Sequence, residues 1–332
     1  MSDHLAGAYD LAIFDLDGVV FLIDKPIPGA AEAVERLRAD GTAIAFATNN
    51  ASRRAADVAA LLTGMGVSAA PAEVLTSAGA AAALIAEHVP AGSPVLVVGA
   101  EALRAEIRDA GLTPVASAED KPVAVVQGYG PEVGWKNLSE AALAIRAGAT
   151  WYATNTDRTL PSPRGPLPGN GSLVAVIRTA LDRDPDVVVG KPQPALFTTA
   201  ATVAGADRPL VIGDRLDTDI QGAVTAGSDS LLVLTGVSGP ADLLSAPADR
   251  RPSFVAADLS GLFRPADQAE VPAAEVNGWH LARQADRATL SGSGDPVDAL
   301  RLLCGATWDG VPATNLTAGS EAATDLLRSW GL

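Results

Sequence analysis

The chain has 332 residues, 48% of them hydrophobic, which is enough for two or three domains with sizeable cores. Its formal net charge of −15 argues against general nucleic-acid binding, which needs a basic footprint, but leaves small anionic substrates open, because one local positive site overrides a global charge. The single cysteine, Cys304, excludes an internal disulfide, and no basic stretch leads into an apolar one near Met1, so the expectation is a cytoplasmic protein with no membrane segment.

Short apolar runs alternate with alanine-rich stretches of helical period. Strands are expected at Leu11–Phe14, Ala43–Ala47, Val95–Val98, Val123–Gln127, Trp151–Ala153, Val187–Val189, Leu210–Ile212 and Ser230–Leu234. Helices are expected between them at Gly29–Ala39, Arg53–Gly64, Ala78–His88, Glu101–Ala110, Leu138–Ala147 and Leu173–Leu181. This rhythm predicts an α/β protein built of βαβ units and parallel sheets covered on both faces. A closed barrel would place chemistry after most of its strands. Here the polar signals follow the first two strands and the seventh, while the middle strands carry less, which favours a core interrupted by an inserted domain. From about Pro265 the pattern changes to a hairpin, Gly278–Gln284 and Ala288–Gly294, and then a helix over Asp295–Ala306.

Four polar segments lie just past the carboxyl ends of expected strands, the edge where open α/β sheets bind ligands. They are Asp15-Leu-Asp-Gly-Val, Thr48-Asn-Asn, Gly190-Lys-Pro and Gly213-Asp-Arg-Leu-Asp-Thr-Asp. Asp15 and Asp17 are two apart, so on extended backbone they face the same way, and adjacent carboxylates call for a cation or a proton-transfer task. Asp214, Asp217 and Asp219 crowd three further carboxylates into one short segment. A hard divalent cation such as Mg²⁺ takes carboxylate oxygens. A lysine, a threonine hydroxyl and the amides of Leu16, Gly18 and Asn49 suit a phosphate dianion. One aspartate can then attack phosphorus while a second moves the proton. Taken singly, each segment is also an ordinary cap or turn.

Together these residues resemble the haloacid dehalogenase superfamily of phosphatases. Asp15-Leu-Asp-Gly-Val matches the first motif of that family, Thr48 the second, Lys191 the third and Gly213-Asp-Arg-Leu-Asp-Thr-Asp the fourth. The resemblance implies a Rossmann-like core, Mg²⁺ dependence and an aspartyl-phosphate intermediate. It implies Asp15 as nucleophile and Asp17 as acid/base and, through its carbonyl, metal ligand. It also implies Asp214 and Asp219 at the metal, and Thr48 and Lys191 at the phosphate.

The span between Val19 and Gly29 is too short for an inserted domain, whereas Thr48 to Lys191 carries its own βαβα pattern, where the family places a C2-type α/β cap. Ala153-Thr-Asn-Thr-Asp-Arg and Pro168-Gly-Asn-Gly-Ser are similar to the NagD-like branch, with Gly169 and Gly171 where the chain would return to the core. The expected domains are a core of 1–78 and 184–262, a cap of 79–183, and a small α+β extension of 263–332. Asn155, Asp157 and Arg158 are candidates for contact with the organic part of the substrate.

The extension resembles a fragment of an acyltransferase-like fold without its glycine-rich pyrophosphate loop, and docking or dimerisation is the preferred role. The expected activity is Mg²⁺-dependent hydrolysis of a small phosphorylated metabolite, glycerol 3-phosphate or 2-phosphoglycolate by resemblance, with a homodimer as the expected assembly. The competing readings are a phosphomutase or other phosphoryl transferase on the same core, and a non-catalytic phosphate-binding or signalling module.

Overall fold

The structure, a computed structural model, describes residues 4–23 and 25–332. The chain divides into two compact units, Met1–Ile44 with Ala201–Leu332, and Ala45–Ala200. The first opens with β1 (Leu11–Phe14), the short strands β2 (Phe21–Leu22) and β3 (Lys25–Pro26), and α1 (Ala30–Ala39). The chain crosses into the second unit within β4 (Ala43–Thr48).

The second unit continues with α2 (Ala55–Gly64), β5 (Val74–Thr76), α3 (Ser77–His88), β6 (Pro94–Val98), α4 (Glu101–Asp109), β7 (Thr113–Val115) and β8 (Ala124–Gln127). There follow α5 (Trp135–Arg146), β9 (Thr150–Ala153), β10 (Thr159–Leu160), β11 (Leu167–Pro168), α6 (Asn170–Leu181) and β12 (Val187–Val188). The chain returns to the first unit within α7 (Ala195–Ala204). The remainder is β13 (Pro209–Gly213), α8 (Gln221–Ala226), β14 (Asp229–Val233), α9 (Pro240–Leu244), β15 (Phe254–Ala256), β16 (Trp279–Gln284), β17 (Arg287–Gly292), α10 (Pro296–Trp308), β18 (Leu316–Ala318) and α11 (Glu321–Ser329).

In the first unit β1, β13, β14 and β15 run parallel in that order, with Leu11 opposite Pro209 and Leu231 opposite Phe254. All four residues of β1 are buried, the mark of a strand covered on both faces. The amide of Ala43 donates to the Asp10 carbonyl at 2.9 Å and so sets the first residue of β4 beside β1. In the second unit β12, β9, β8, β6 and β7 form a parallel five-stranded sheet. The parallel sheets with intervening helices agree with the expected α/β class.

The eight expected strands are present to within a residue or two. The three-residue strands β5, β7 and β15 were not anticipated, because three residues carry no periodicity to read. The division into units also falls elsewhere than the expected core and cap boundaries. Ala51, Ala78 and Val189 pack in one apolar cluster with Ala81, Ile85 and Val97, so the stretches flanking the insertion share its core.

The hairpin and helix of the C-terminal segment are found as β16, β17 and α10, and β18 and α11 add to them. β16 and β17 pair antiparallel, while β18 lies parallel to β17. Asp295 caps α10 by accepting the Val297 amide at 2.8 Å, and Pro296 takes the first helical position, where its missing N–H costs nothing. The segment has a small apolar cluster of its own, Ala288, Ala306 and Val311, but its larger core is shared. Leu290, Leu300, Leu303 and Leu327 belong to the same cluster as Leu232, Leu243, Leu244 and Val255. Among the described residues no helix is long and apolar enough to cross a membrane.

Candidate active site

In the first unit the carboxyl ends of β1 and β13 present an acidic group. One carboxylate oxygen each from Asp15, Asp214 and Asp219 lies within 4.8 Å of the others, and Asp214 and Asp219 are buried. Asp15 follows β1 directly, and its amide donates to the Ile212 carbonyl of β13 at 2.8 Å. Asp214 follows β13. Its Oδ2 accepts the Val237 amide at 2.7 Å, and its carbonyl accepts the Ser238 amide at 3.0 Å. Asp219 sits in the π-helical turn Leu216–Ile220, and its Oδ2 accepts the Arg215 amide at 3.1 Å.

Close approach here depends on Gly236, where a Cβ would come within 2.0 Å of Asp214 Oδ2. Asp217 points elsewhere and accepts two hydrogen bonds from the Arg215 guanidinium at 3.0 and 2.9 Å. Three carboxylates brought together without histidine or cysteine fit a hard cation such as Mg²⁺, and they would be costly side by side with no positive charge between them.

The turn after β1 is closed by its own backbone. The amides of Val20 and Phe21 donate to the Leu16 carbonyl at 2.9 and 3.1 Å, and the Gly18 amide donates to the Phe21 carbonyl at 2.8 Å. The Gly18 amide, expected at the phosphate, is therefore engaged in the turn. Thr235 Oγ1 donates to the Gly18 carbonyl at 2.6 Å and holds this turn to the loop after β14.

In the second unit the carboxyl end of β4 carries Thr48 and Asn49, both buried. The Asn49 side chain takes hold of the Lys191 backbone at both polar groups. Its Oδ1 accepts the Lys191 amide at 2.8 Å and its Nδ2 donates to the Lys191 carbonyl at 3.1 Å. A Cβ on Gly190 would lie 2.4 Å from Asn49 Oδ1, so this grip needs glycine beside Lys191. Nδ2 also donates to the Asp157 carboxylate, at 3.1 and 3.3 Å to its two oxygens.

Asn155 is buried. Its Nδ2 donates to the Asn49 carbonyl at 2.6 Å and its Oδ1 accepts the Asp157 amide at 3.1 Å. Both ends of the Asn155 amide thus brace the loop. Arg158 is exposed, and its carbonyl accepts the Gly169 amide at 2.8 Å and the Ser172 hydroxyl at 2.7 Å. Gly169 and Gly171 lie at the start of α6, inside the second unit.

Residues 12–113 match the family of haloacid dehalogenase-like hydrolases, and residues 188–262 match a second HAD-hydrolase-like family. A D-glycerol 3-phosphate phosphatase of Mycobacterium tuberculosis is 43% identical over 99% of this chain and 96% of its own length. The chain belongs to the haloacid dehalogenase-like hydrolases. An acid sugar phosphatase of Staphylococcus aureus is 35% identical over 69% of this chain and 88% of its own.

Among solved structures of such hydrolases, the glycerol phosphate phosphatase of Mycobacterium tuberculosis in complex with magnesium superposes with a TM-score of 0.92 at 44% identity, covering 99% of each chain. A 4-nitrophenylphosphatase of Thermotoga maritima superposes with a TM-score of 0.72 at 32% identity, over 78% of this chain and 97% of its own. Residues 277–332 match a GCN5-related N-acetyltransferase like domain.

Sequence reasoning missed the loop Thr235–Ser238. It supports this hydrolase's acidic group through the Val237 and Ser238 amides, and the Ser238 hydroxyl accepts the Leu216 amide at 3.0 Å. Its one signal was a glycine, Gly236, directly after an apolar strand and Thr235.

Proposed function

We propose that this haloacid dehalogenase-like phosphatase hydrolyses glycerol 3-phosphate, with Asp15 as nucleophile and Asp17 as acid/base. The observation that carries the reading is the convergence of Asp15, Asp214 and Asp219, in a chain that aligns end to end with a D-glycerol 3-phosphate phosphatase. Asp15, Asp214 and Asp219, with the Asp17 carbonyl, would hold Mg²⁺, which supplies charge neutralisation for an anionic ester approached by a carboxylate.

In this reading an Asp15 oxygen bonds to phosphorus as the ester P–O bond breaks, and Asp17 gives its proton to the departing alkoxide. Asp17 then takes a proton from water, whose oxygen attacks phosphorus and releases phosphate from Asp15. Thr48, Asn49, Lys191 and the Leu16 amide are assigned to the phosphoryl group. Lys191 offsets its charge, and the Thr48 hydroxyl has hydrogen-bonding capacity beyond the Asn50 amide that it accepts at 3.0 Å.

Residues 79–183 act as the cap that selects the leaving group, with Arg158 the cap side chain offered to it. The same reading takes 1–78 and 184–262 as the catalytic core and 263–332 as an extension. It places the enzyme in the cytoplasm as a homodimer.

Phosphate release from glycerol 3-phosphate, 2-phosphoglycolate and 4-nitrophenyl phosphate, with Mg²⁺ and with EDTA, tests the function. The expected result is metal-dependent release fastest from glycerol 3-phosphate. In Asp15→Asn, which keeps the side-chain volume and loses the attacking oxygen, release falls at least about 1,000-fold while the circular dichroism is unchanged. Substantial turnover by that variant would remove Asp15 as nucleophile.

A further inference from the structure

Asp157 was expected to meet the substrate, but its surroundings describe a different task. Its backbone is fixed on both sides: the amide donates to Asn155 Oδ1 at 3.1 Å, and the carbonyl accepts the Gly171 amide at 2.8 Å. Its carboxylate accepts from Asn49 Nδ2, which also donates to the Lys191 carbonyl.

An asparagine amide is nearly symmetric in shape, and only its partners decide which end is oxygen and which is nitrogen. Here the Lys191 amide calls for oxygen at one end. The Asp157 carboxylate and the Lys191 carbonyl call for nitrogen at the other. Turned over, the amide would set Oδ1 against a carboxylate and a carbonyl, and Nδ2 against an N–H. A hydrogen bond to a charged acceptor is about twice as strong as a neutral one, so the carboxylate is the group that makes this choice decisive.

We propose that Asp157 is a positioning residue for Lys191, acting through Asn49: it locks the orientation of the amide that grips the Lys191 backbone and thereby fixes where the ammonium stands. This rests on the reading of Lys191 as a phosphate-binding residue. A residue that acts this way affects every phosphate ester alike, because the phosphoryl group is common to all of them. A residue that touches the organic part affects only the esters that carry the touched group.

The test compares Asp157→Ala, Asn49→Ala and the double variant with wild type, as full-length protein with Mg²⁺. Glycerol 3-phosphate and 4-nitrophenyl phosphate are the substrates, and inorganic phosphate binding is followed by calorimetry. The expected result is that Asp157→Ala lowers kcat/KM by the same factor for both esters, about 10- to 100-fold for a displaced charge. Phosphate affinity falls too, the Mg²⁺ concentration for half-maximal rate stays unchanged, and the double variant is no worse than Asn49→Ala alone. Asp157→Asn, which keeps the volume and one acceptor oxygen, recovers part of the loss for both esters. It decides the question by the same criteria if Asp157→Ala does not fold.

A loss confined to glycerol 3-phosphate, a loss that multiplies with that of Asn49→Ala, or no loss at all overturns the inference. A wild type silent on both esters removes the proposed function instead. In that case the calorimetric phosphate affinities of the variants still decide whether Asp157 and Asn49 act on Lys191.

Discussion

Asp214, Asp217 and Asp219 share one short segment, yet only the first and last join Asp15, while Asp217 turns out to the Arg215 guanidinium. What separates them is the π-helical turn and the loop opposite, whose Gly236 leaves room for a buried carboxylate. Gly236 does not need a positive φ, so Gly236→Ala strains no backbone and acts only by displacing Asp214. The expected outcome is a rise of roughly tenfold or more in the Mg²⁺ concentration for half-maximal activity, together with a lower melting temperature because the displaced carboxylate is buried. A metal titration of the variant checks it.

Cys304 is the opposite kind of residue. Burial pushes its thiol up, and the Arg251 charge only partly offsets this. The thiolate is the reactive form, so the native protein should react negligibly with a disulfide reagent at pH 8 and take up one equivalent once unfolded. Fast labelling of the native protein would contradict the burial of α10. At this scale the sequence was legible in the placing of Asp15, Thr48 and Lys191 at or just past strand ends. It was not legible for Asn49 and Asp157, whose hydrogen bond joins positions 108 residues apart.

Between residue and fold stand the elements, and α10 is the most instructive of them. Its Arg301 side chain is buried, and each part of the guanidinium is used: Nε donates to the Glu270 carbonyl at 2.8 Å, Nη1 to Asp298 at 2.8 Å, and Nη2 to the Asp267 carbonyl. The helix thus ties down the stretch that leads from β15 into the hairpin. Arg301→Ala leaves two carbonyls and a carboxylate without their donor. It should cost about 3 kcal/mol of stability, read as a lower urea midpoint at unchanged slope. A midpoint within error of wild type would show that water replaces the guanidinium freely.

Strands of four or more residues with apolar runs were readable from their periodicity. The helices α7, α8 and α9 were not among the expected elements, and neither were β18 and α11. β18 is three residues long, and α11 has only Ala323 and Leu327 fully buried, so its apolar face is narrow.

At the scale of the molecule, the expectation of a separate C-terminal module meets a shared core. Deleting 263–332 would uncover Leu243, Leu244 and Val255, which pack with Leu300 and Leu303. At about 2 kcal/mol per buried side chain that is roughly 6 kcal/mol, comparable with the net stability of a whole domain. The truncated chain should therefore aggregate or melt far below the full one, as gel filtration and a thermal scan would show. A monodisperse truncated protein with an unchanged melting point would restore the reading of an independent module.

The interruption of the first unit by Ala45–Ala200 has a consequence during synthesis. β1 leaves the ribosome well before its partner β13, which is made roughly 200 residues later, a wait on the order of 10–40 s at 5–20 residues per second. The second unit is contiguous and is free to close meanwhile, with its own five-stranded sheet complete once β12 has emerged. Throughout that interval a fully apolar strand keeps the edge meant for β13 unpaired, which makes Leu11–Phe14 the segment of the nascent chain most in need of a chaperone.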